Sequence, residues 1–128
     1  VMKFLQNTDI VFYSINPAGS SYKLNKASIA GQENLDKFAD ETGGSAFLPK
    51  FLPVDLKDQK QNTANMKNNV AVLSSIFLQL SSELRAQYLV QYYSASEHPD
   101  NKYVRLQVAL RDRSGLRVRA RQGYFVKN

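Results

Sequence analysis

Four arginines near the carboxyl end of the chain are spaced so that together they could bind a polyanion. They are Arg105, Arg117, Arg119 and Arg121. Residues two apart in a strand point to the same side, so these arginines predict one basic sheet face. With Tyr92 and Tyr124 beside it, such a face has the features of single-strand nucleic-acid binders. Basic faces more commonly stay solvated or pack their arginine stems on a neighbouring element. Polyanion or nucleic-acid binding is therefore kept as the alternative function.

The charge distribution supports that alternative only in the last quarter of the chain. The 128 residues carry a formal net charge of +6. Residues 102–128 hold eight Lys and Arg residues but only one acidic residue, Asp112, which gives this segment a net charge of +7. The preceding residues are close to neutral, so any electrostatic attraction of a partner must come from the carboxyl-terminal quarter.

The sequence offers no arrangement for catalysis or metal binding. His98 lies in the turn sequence SEHPDN, and no serine or carboxylate pattern accompanies it. Asp40 and Glu41 are expected to be solvated near a helix end, without a partner for acid–base work. Gly43 and Gly44 predict a helix stop, not a phosphate loop. Since the chain also lacks cysteine, we expect no catalytic residue, no cofactor, no metal site and no enzymatic activity.

Local patterns in residues 1–49 predict strand, helix and strand. The opening residues resemble the last turns of a helix, and residues 9–15, DIVFYSI, form the continuous apolar run of a strand buried on both faces. Asn34 is a candidate N-cap for a helix that ends at Gly43, and residues 45–49, SAFLP, form a short strand. Two such strands joined by a helix predict a parallel pair with a right-handed crossover.

The second half of the chain predicts a helix followed by antiparallel strands. Residues 50–69 read as a polar surface loop. Residues 70–86 read as a helix with an apolar core stripe formed by Leu73, Ile76, Phe77, Leu80 and Leu84. From residue 87 to residue 126 the apolar period becomes two, which predicts a three-stranded antiparallel meander. Its tyrosines at 88, 92 and 93 would pack to both sides and lock the helix to the meander.

Several stretches together resemble a known family. ELRAQYLVQYYSA and GLRVRARQGYF are similar to the C-terminal signature of the von Willebrand factor A-related domains of acidobacterial proteins. DIVFYSINPAG and NLDKFADETGGSAF are similar to upstream parts of the same domain. The resemblance implies one domain over residues 1–128. Its fold would be α/β, a partial Rossmann-like parallel sheet with covering helices, extended by the C-terminal meander.

Departures from that family qualify what the resemblance implies. Asn16, Gln91 and Gln122 replace the family's usual Asp, Gly and Lys. The family's Asp-x-Ser-x-Ser motif, which supplies oxygen ligands to a divalent cation, is absent. If the resemblance holds, the chain corresponds to the C-terminal half of such a domain and lacks its own metal-ion-dependent adhesion site.

The preferred function from the resemblance is a non-enzymatic protein-interaction or adhesion-type module. Ligands of open α/β sheets bind at the carboxyl ends of strands, so the expected contact residues are Asn16, Pro17, Ser20, Ser21 and Tyr22. The expected partner is the N-terminal half of the domain, another protein, or a second copy joined through the edge of strand 9–15. The resemblance implies a secreted or cell-envelope location, although the sequence shows neither a targeting leader nor a membrane-spanning run.

Overall fold

The computed structural model describes residues 1–17, 25–112 and 115–127. Within them the chain forms three helices and two small sheets. In chain order the elements are α1 (Met2–Gln6), β1 (Tyr13–Ile15), α2 (Lys26–Thr42), β2 (Ser45–Phe47), α3 (Gln59–Arg85), β3 (Tyr103–Arg105) and β4 (Gly123–Phe125). The short α1 confirms the helical turns expected at the start of the sequence.

The first sheet is a parallel pair, as predicted, but the expected strand 9–15 buried on both faces is wrong: β1 covers only Tyr13–Ile15 and is half-buried. β1 pairs with β2 in the register Tyr13 to Ser45, and α2 connects the two strands. Gly43 ends α2 in the left-handed conformation, with φ of 82°, which confirms the predicted helix stop. The predicted start was wrong. Asn25, not Asn34, is the N-cap, because its side chain accepts a hydrogen bond from the Ala27 amide at 2.8 Å.

Helix α3 begins much earlier than the sequence pattern indicated. Asp58 caps it by accepting hydrogen bonds from the amides of Lys60 and Gln61. The prediction of a loop over residues 50–69 is therefore wrong from Gln59 onward. Asparagine has a weak helix propensity, so the sequence indicates a loop where tertiary contacts hold a helix.

The carboxyl-terminal sheet has two strands among the described residues, not three. β3 and β4 are antiparallel, with Tyr103 opposite Phe125, and residues 87–93 belong to neither sheet. The predicted fold class is thus wrong for the part of the chain described. The described residues form no three-stranded meander and no Rossmann-like parallel sheet with covering helices. Alternation of apolar residues specifies which face a strand would bury, but it does not specify a pairing partner.

Little of the apolar side-chain surface is buried. Leu5 and Ala39 are the buried hydrophobic residues among those described, whereas Phe77 and Leu84 of the predicted α3 core stripe are 53% and 50% exposed. The chain has an accessible surface of 10321 Å² for a mass of 14.5 kDa. A compact monomer of that mass exposes about 6,900 Å². The fold therefore leaves much more surface in water than an ordinary domain of its size.

Candidate protein-binding surface

The predicted contact loop begins at the carboxyl end of β1, where Asn16 is tied into the fold. Its amide donates to the Phe47 carbonyl at 2.9 Å, and its Nδ2 donates to Gln32 Oε1, also at 2.9 Å. Gln32 is buried and donates in turn to Asp36 Oδ1 at 2.8 Å. Pro17 is exposed, while Ser20, Ser21 and Tyr22 lie outside the described residues. Asn16 thus fastens β1 to α2 and β2, and Pro17 is the described member of this set that faces solvent.

The four arginines of the predicted basic face differ in their contacts. Arg119 Nη1 lies 3.2 Å from Glu83 Oε2 and joins the carboxyl-terminal segment to α3. The Arg121 guanidinium donates to the main-chain carbonyls of three residues of the amino-terminal segment, namely Gln6, Thr8 and Ile10. Arg105 and Arg117 are exposed. Two of the four charges are thus engaged within the fold.

A polar cleft of about 590 Å³ lies between the end of α2, β2 and the 117–122 segment. Arg117 and Arg119 line it together with Asp36 and Asp40. The carboxyl end of α2 also brings the negative pole of the helix dipole to this place. The basic side chains here are therefore opposed by negative charge, so the cleft does not continue a basic surface.

Glu41 is a junction between elements, contrary to the expectation that it is solvated. Its Oε2 accepts hydrogen bonds from Gln6 Nε2 at 3.2 Å and from the Tyr103 hydroxyl at 3.1 Å. Its main-chain carbonyl accepts from the Gln122 amide at 3.2 Å. Burial, together with the hydrogen bond to Glu41, raises the pKa of Tyr103 above its ordinary value. Glu41 therefore joins α1, α2 and β3.

A second cleft of about 480 Å³ contains His98, which the sequence places in a turn. Tyr124 lines it, and the Tyr92 hydroxyl donates to the Tyr124 hydroxyl at 3.2 Å. That hydrogen bond raises the pKa of Tyr92. Within residues 1–17, 25–112 and 115–127, no three His, Asp or Glu side chains stand together as a metal site.

Among the residues that the structure describes, the most exposed apolar side chains follow α3. We call residues 88–93 the aromatic segment. Tyr88 is 91% exposed, Leu89 is 89% exposed and Tyr93 is fully exposed, and Val90 and Tyr92 are also largely in water. The prediction that these tyrosines lock α3 to a meander is therefore wrong for Tyr88 and Tyr93. The segment presents five apolar or aromatic side chains within six residues.

One set of polar contacts was not predicted from the sequence. Asn62, Asn65 and Asn69 lie on one side of α3 and bind the main chain of residues 52–56. Their spacing of three and four is the signal that could have indicated a shared helix face. The polar composition of this stretch led instead to the prediction of a loop.

In comparisons with known proteins, no family model, curated protein or solved structure matches the chain. The resemblance to von Willebrand factor A-related domains therefore stays a prediction. Membrane crossing can be assessed for the described helices, and none of them combines the length and apolar character needed to span a bilayer.

Proposed function

We propose that this chain is a non-enzymatic protein-interaction module that binds a protein partner through the aromatic segment. The observation that carries this proposal is the exposure of Tyr88, Leu89 and Tyr93, each at about nine-tenths or more. Burying one large apolar side chain is favourable by about 1.5–3 kcal/mol. A partner that covers several of these side chains would gain affinity from their burial.

The accessible surface of the chain is consistent with this proposal. The accessible area of 10321 Å² exceeds that of a compact monomer by about 3,400 Å². A standard protein–protein interface removes about 800 Å² from each partner. The surplus is thus large enough to contain a specific interface.

The composition and conformation of the aromatic segment also suit a binding role. Tyrosine is enriched at the energetically important positions of interfaces, because its ring gives a large contact area and its hydroxyl can still reach water. Residues 88–93 belong to no strand and make no main-chain hydrogen bond to the described residues. A main chain whose hydrogen-bonding groups are unpaired in this way can pair with a strand of a partner.

Site-specific photo-crosslinking tests the proposal. We would replace Tyr93 by p-benzoylphenylalanine, express the protein in the organism that encodes it, and irradiate. The matched control carries the same group in place of Ser74, an exposed polar residue of α3. We expect protein adducts from position 93 and few from position 74, and a second change, Leu89→Arg, should remove the adducts at 93. Equal adduct formation at both positions, or adducts that survive Leu89→Arg, would contradict the proposal.

A further inference from the structure

The amino-terminal half of α3 holds residues 52–56, which belong to no helix or strand, with three asparagine side chains. Asn69 Oδ1 accepts from the Leu52 amide at 2.8 Å, and its Nδ2 donates to the Leu52 carbonyl at 2.8 Å. Asn62 makes the same pair of bonds to Leu56, at 3.0 Å and 2.6 Å. Between them, the buried Asn65 donates to the Pro53 carbonyl at 2.7 Å. We call these three residues the asparagine ladder.

The spacing shows how the two segments run. Residues 52–56 lie antiparallel to the helix, because Leu52 meets Asn69 and Leu56 meets Asn62. The seven residue steps from Asn62 to Asn69 rise about 10.5 Å along an α-helix. The four steps from Leu52 to Leu56 span about 13 Å in extended chain. The two lengths are close, so residues 52–56 must be nearly extended for each outer asparagine to bind one of them.

The ladder recognises the main chain and not the side chains. A side-chain amide offers one acceptor and two donors, which match the N–H and C=O of a single peptide residue. The large side chains of the held segment are partly exposed, with Leu52 at 43%, Val54 at 47% and Leu56 at 39%, and the ladder binds none of them. Any extended segment with an N–H at the two outer positions would satisfy the ladder, whereas proline there would not.

The contacts that hold this segment are largely open to solvent. Leu52, Val54 and Leu56 keep 39–47% of their surface in water, and four of the five hydrogen bonds to the asparagines are exposed. Such bonds contribute little net stability one by one. Segments with few buried apolar contacts and exposed hydrogen bonds open locally without unfolding the remainder of a protein.

We propose that Asn62, Asn65 and Asn69 form a binding site for an extended peptide main chain. In this structure the chain's own residues 52–56 occupy the site, and an extended segment of a protein partner takes their place when they leave. The site adds a second contact to the proposed function, on which it rests, and it specifies the chemistry of the partner as an extended strand without proline at two positions four residues apart.

The test uses the full chain and a fluorescent synthetic peptide, FLPVDLK, which repeats residues 51–57. Leu52→Pro with Leu56→Pro removes the two N–H groups that Asn69 and Asn62 bind, which weakens the resident segment and leaves the ladder intact. We expect this double variant to bind the peptide at least about tenfold more tightly than the unchanged chain, as measured by fluorescence anisotropy.

Two controls assign the binding to the ladder. Adding Asn62→Ala and Asn69→Ala to the proline variant should abolish peptide binding, whereas Asn68→Ala should not, because Asn68 is an exposed asparagine of the same helix outside these contacts. A peptide with N-methyl groups on both leucines should also fail to bind. Equal binding by the unchanged and proline variants, or binding that survives loss of Asn62 and Asn69, would overturn the proposal.

Hydrogen exchange provides an independent readout if the proline variant does not fold. In the unchanged chain, the Leu52 and Leu56 amides should exchange by local opening, at rates that mild denaturant leaves nearly constant. Exchange of both amides only on global unfolding would show that the segment never leaves, and would also overturn the proposal. None of these outcomes changes the crosslinking expected at position 93, so failure of the ladder is distinguishable from failure of the proposed function.

Discussion

The Tyr103 hydroxyl of β3 donates a hydrogen bond to the Glu41 carboxylate of α2 across 3.1 Å. The two residues are 62 positions apart in the sequence, so this contact links the carboxyl-terminal sheet to the first half of the fold. The Tyr103 ring also packs on Phe125 of the paired strand, with ring centroids 5.1 Å apart. The hydroxyl and the ring therefore connect different parts of the molecule.

The raised pKa of Tyr103 predicts a loss of stability in alkaline solution. Burial, followed by the hydrogen bond to Glu41, places the pKa of the folded state above the ordinary value of 10.0. As the pH rises past 10, the unfolded state releases the proton first. The contribution of Tyr103 to the free energy of unfolding is thus present below pH 10 and is lost as the pH rises through the folded pKa. Urea unfolding at a series of pH values measures this dependence.

Tyr103→Phe is the control for that measurement, because it keeps the ring and removes the hydroxyl. We expect the variant to lose about 0.5–1.5 kcal/mol of stability at neutral pH. Its remaining stability should fall less steeply above pH 10 than that of the unchanged chain. A variant with the same alkaline slope as the unchanged chain would show that Tyr103 is not the group responsible.

Arg121 should contribute more to stability than the other arginines of its segment. Its guanidinium donates to the carbonyls of Gln6, Thr8 and Ile10, whereas Arg117 is exposed. Charged hydrogen bonds contribute about 1.5–3 kcal/mol, so Arg121→Ala should lower the free energy of unfolding by that amount. Arg117→Ala should change it by less than about 0.5 kcal/mol. Equal losses in the two variants, measured by urea unfolding, would contradict this assignment.

Elements with local signals could be predicted from the sequence. Three local signals identify the parallel pair, because each is carried by residues within the element. They are the β-branched run before Asn16, the helix stop at Gly43 and the short strand after it. The Asn-rich start of α3 carries no such signal. Its asparagines favour loops by themselves and are stabilised in a helix by bonds to residues 52–56, which no local pattern reveals.

The candidate site could be predicted only in part. Alternation correctly indicated extended chain around Tyr103, but it could not show that β4 would pair with this strand while residues 88–93 stay outside both sheets. The same ambiguity affected the arginines. Alternation predicts that Arg119 and Arg121 share one face, yet Glu83 and the amino-terminal carbonyls engage them separately.

Arg119 and Arg121 are already bonded within the fold, so any binding of the chain to polyanions should depend only weakly on salt concentration. If the exposed Arg105 and Arg117 are the two charges left for phosphates, the slope of log K against log salt on single strands should be no steeper than about −1.4. Titration of a fluorescent oligonucleotide at several salt concentrations measures this slope. A slope of about −3 or steeper would favour the alternative function, in which all four arginines form one basic face.

Gly44 and Gly31 predict opposite effects of the same substitution. A Cβ on the buried Gly44 would overlap the main-chain carbonyl of Phe12, immediately before β1, and main chain cannot rotate away as a side chain can. Gly44→Ala should therefore lower the free energy of unfolding by about 1–3 kcal/mol.

Gly31 lies in the exposed middle of α2 with nothing within 4 Å of its Cβ position. Gly31→Ala should raise stability by about 0.5–1 kcal/mol, because alanine is the better helix former. Urea unfolding of both variants measures the difference, and a Gly44→Ala chain as stable as the unchanged one would show that the main chains of Gly44 and Phe12 do not approach as closely as described.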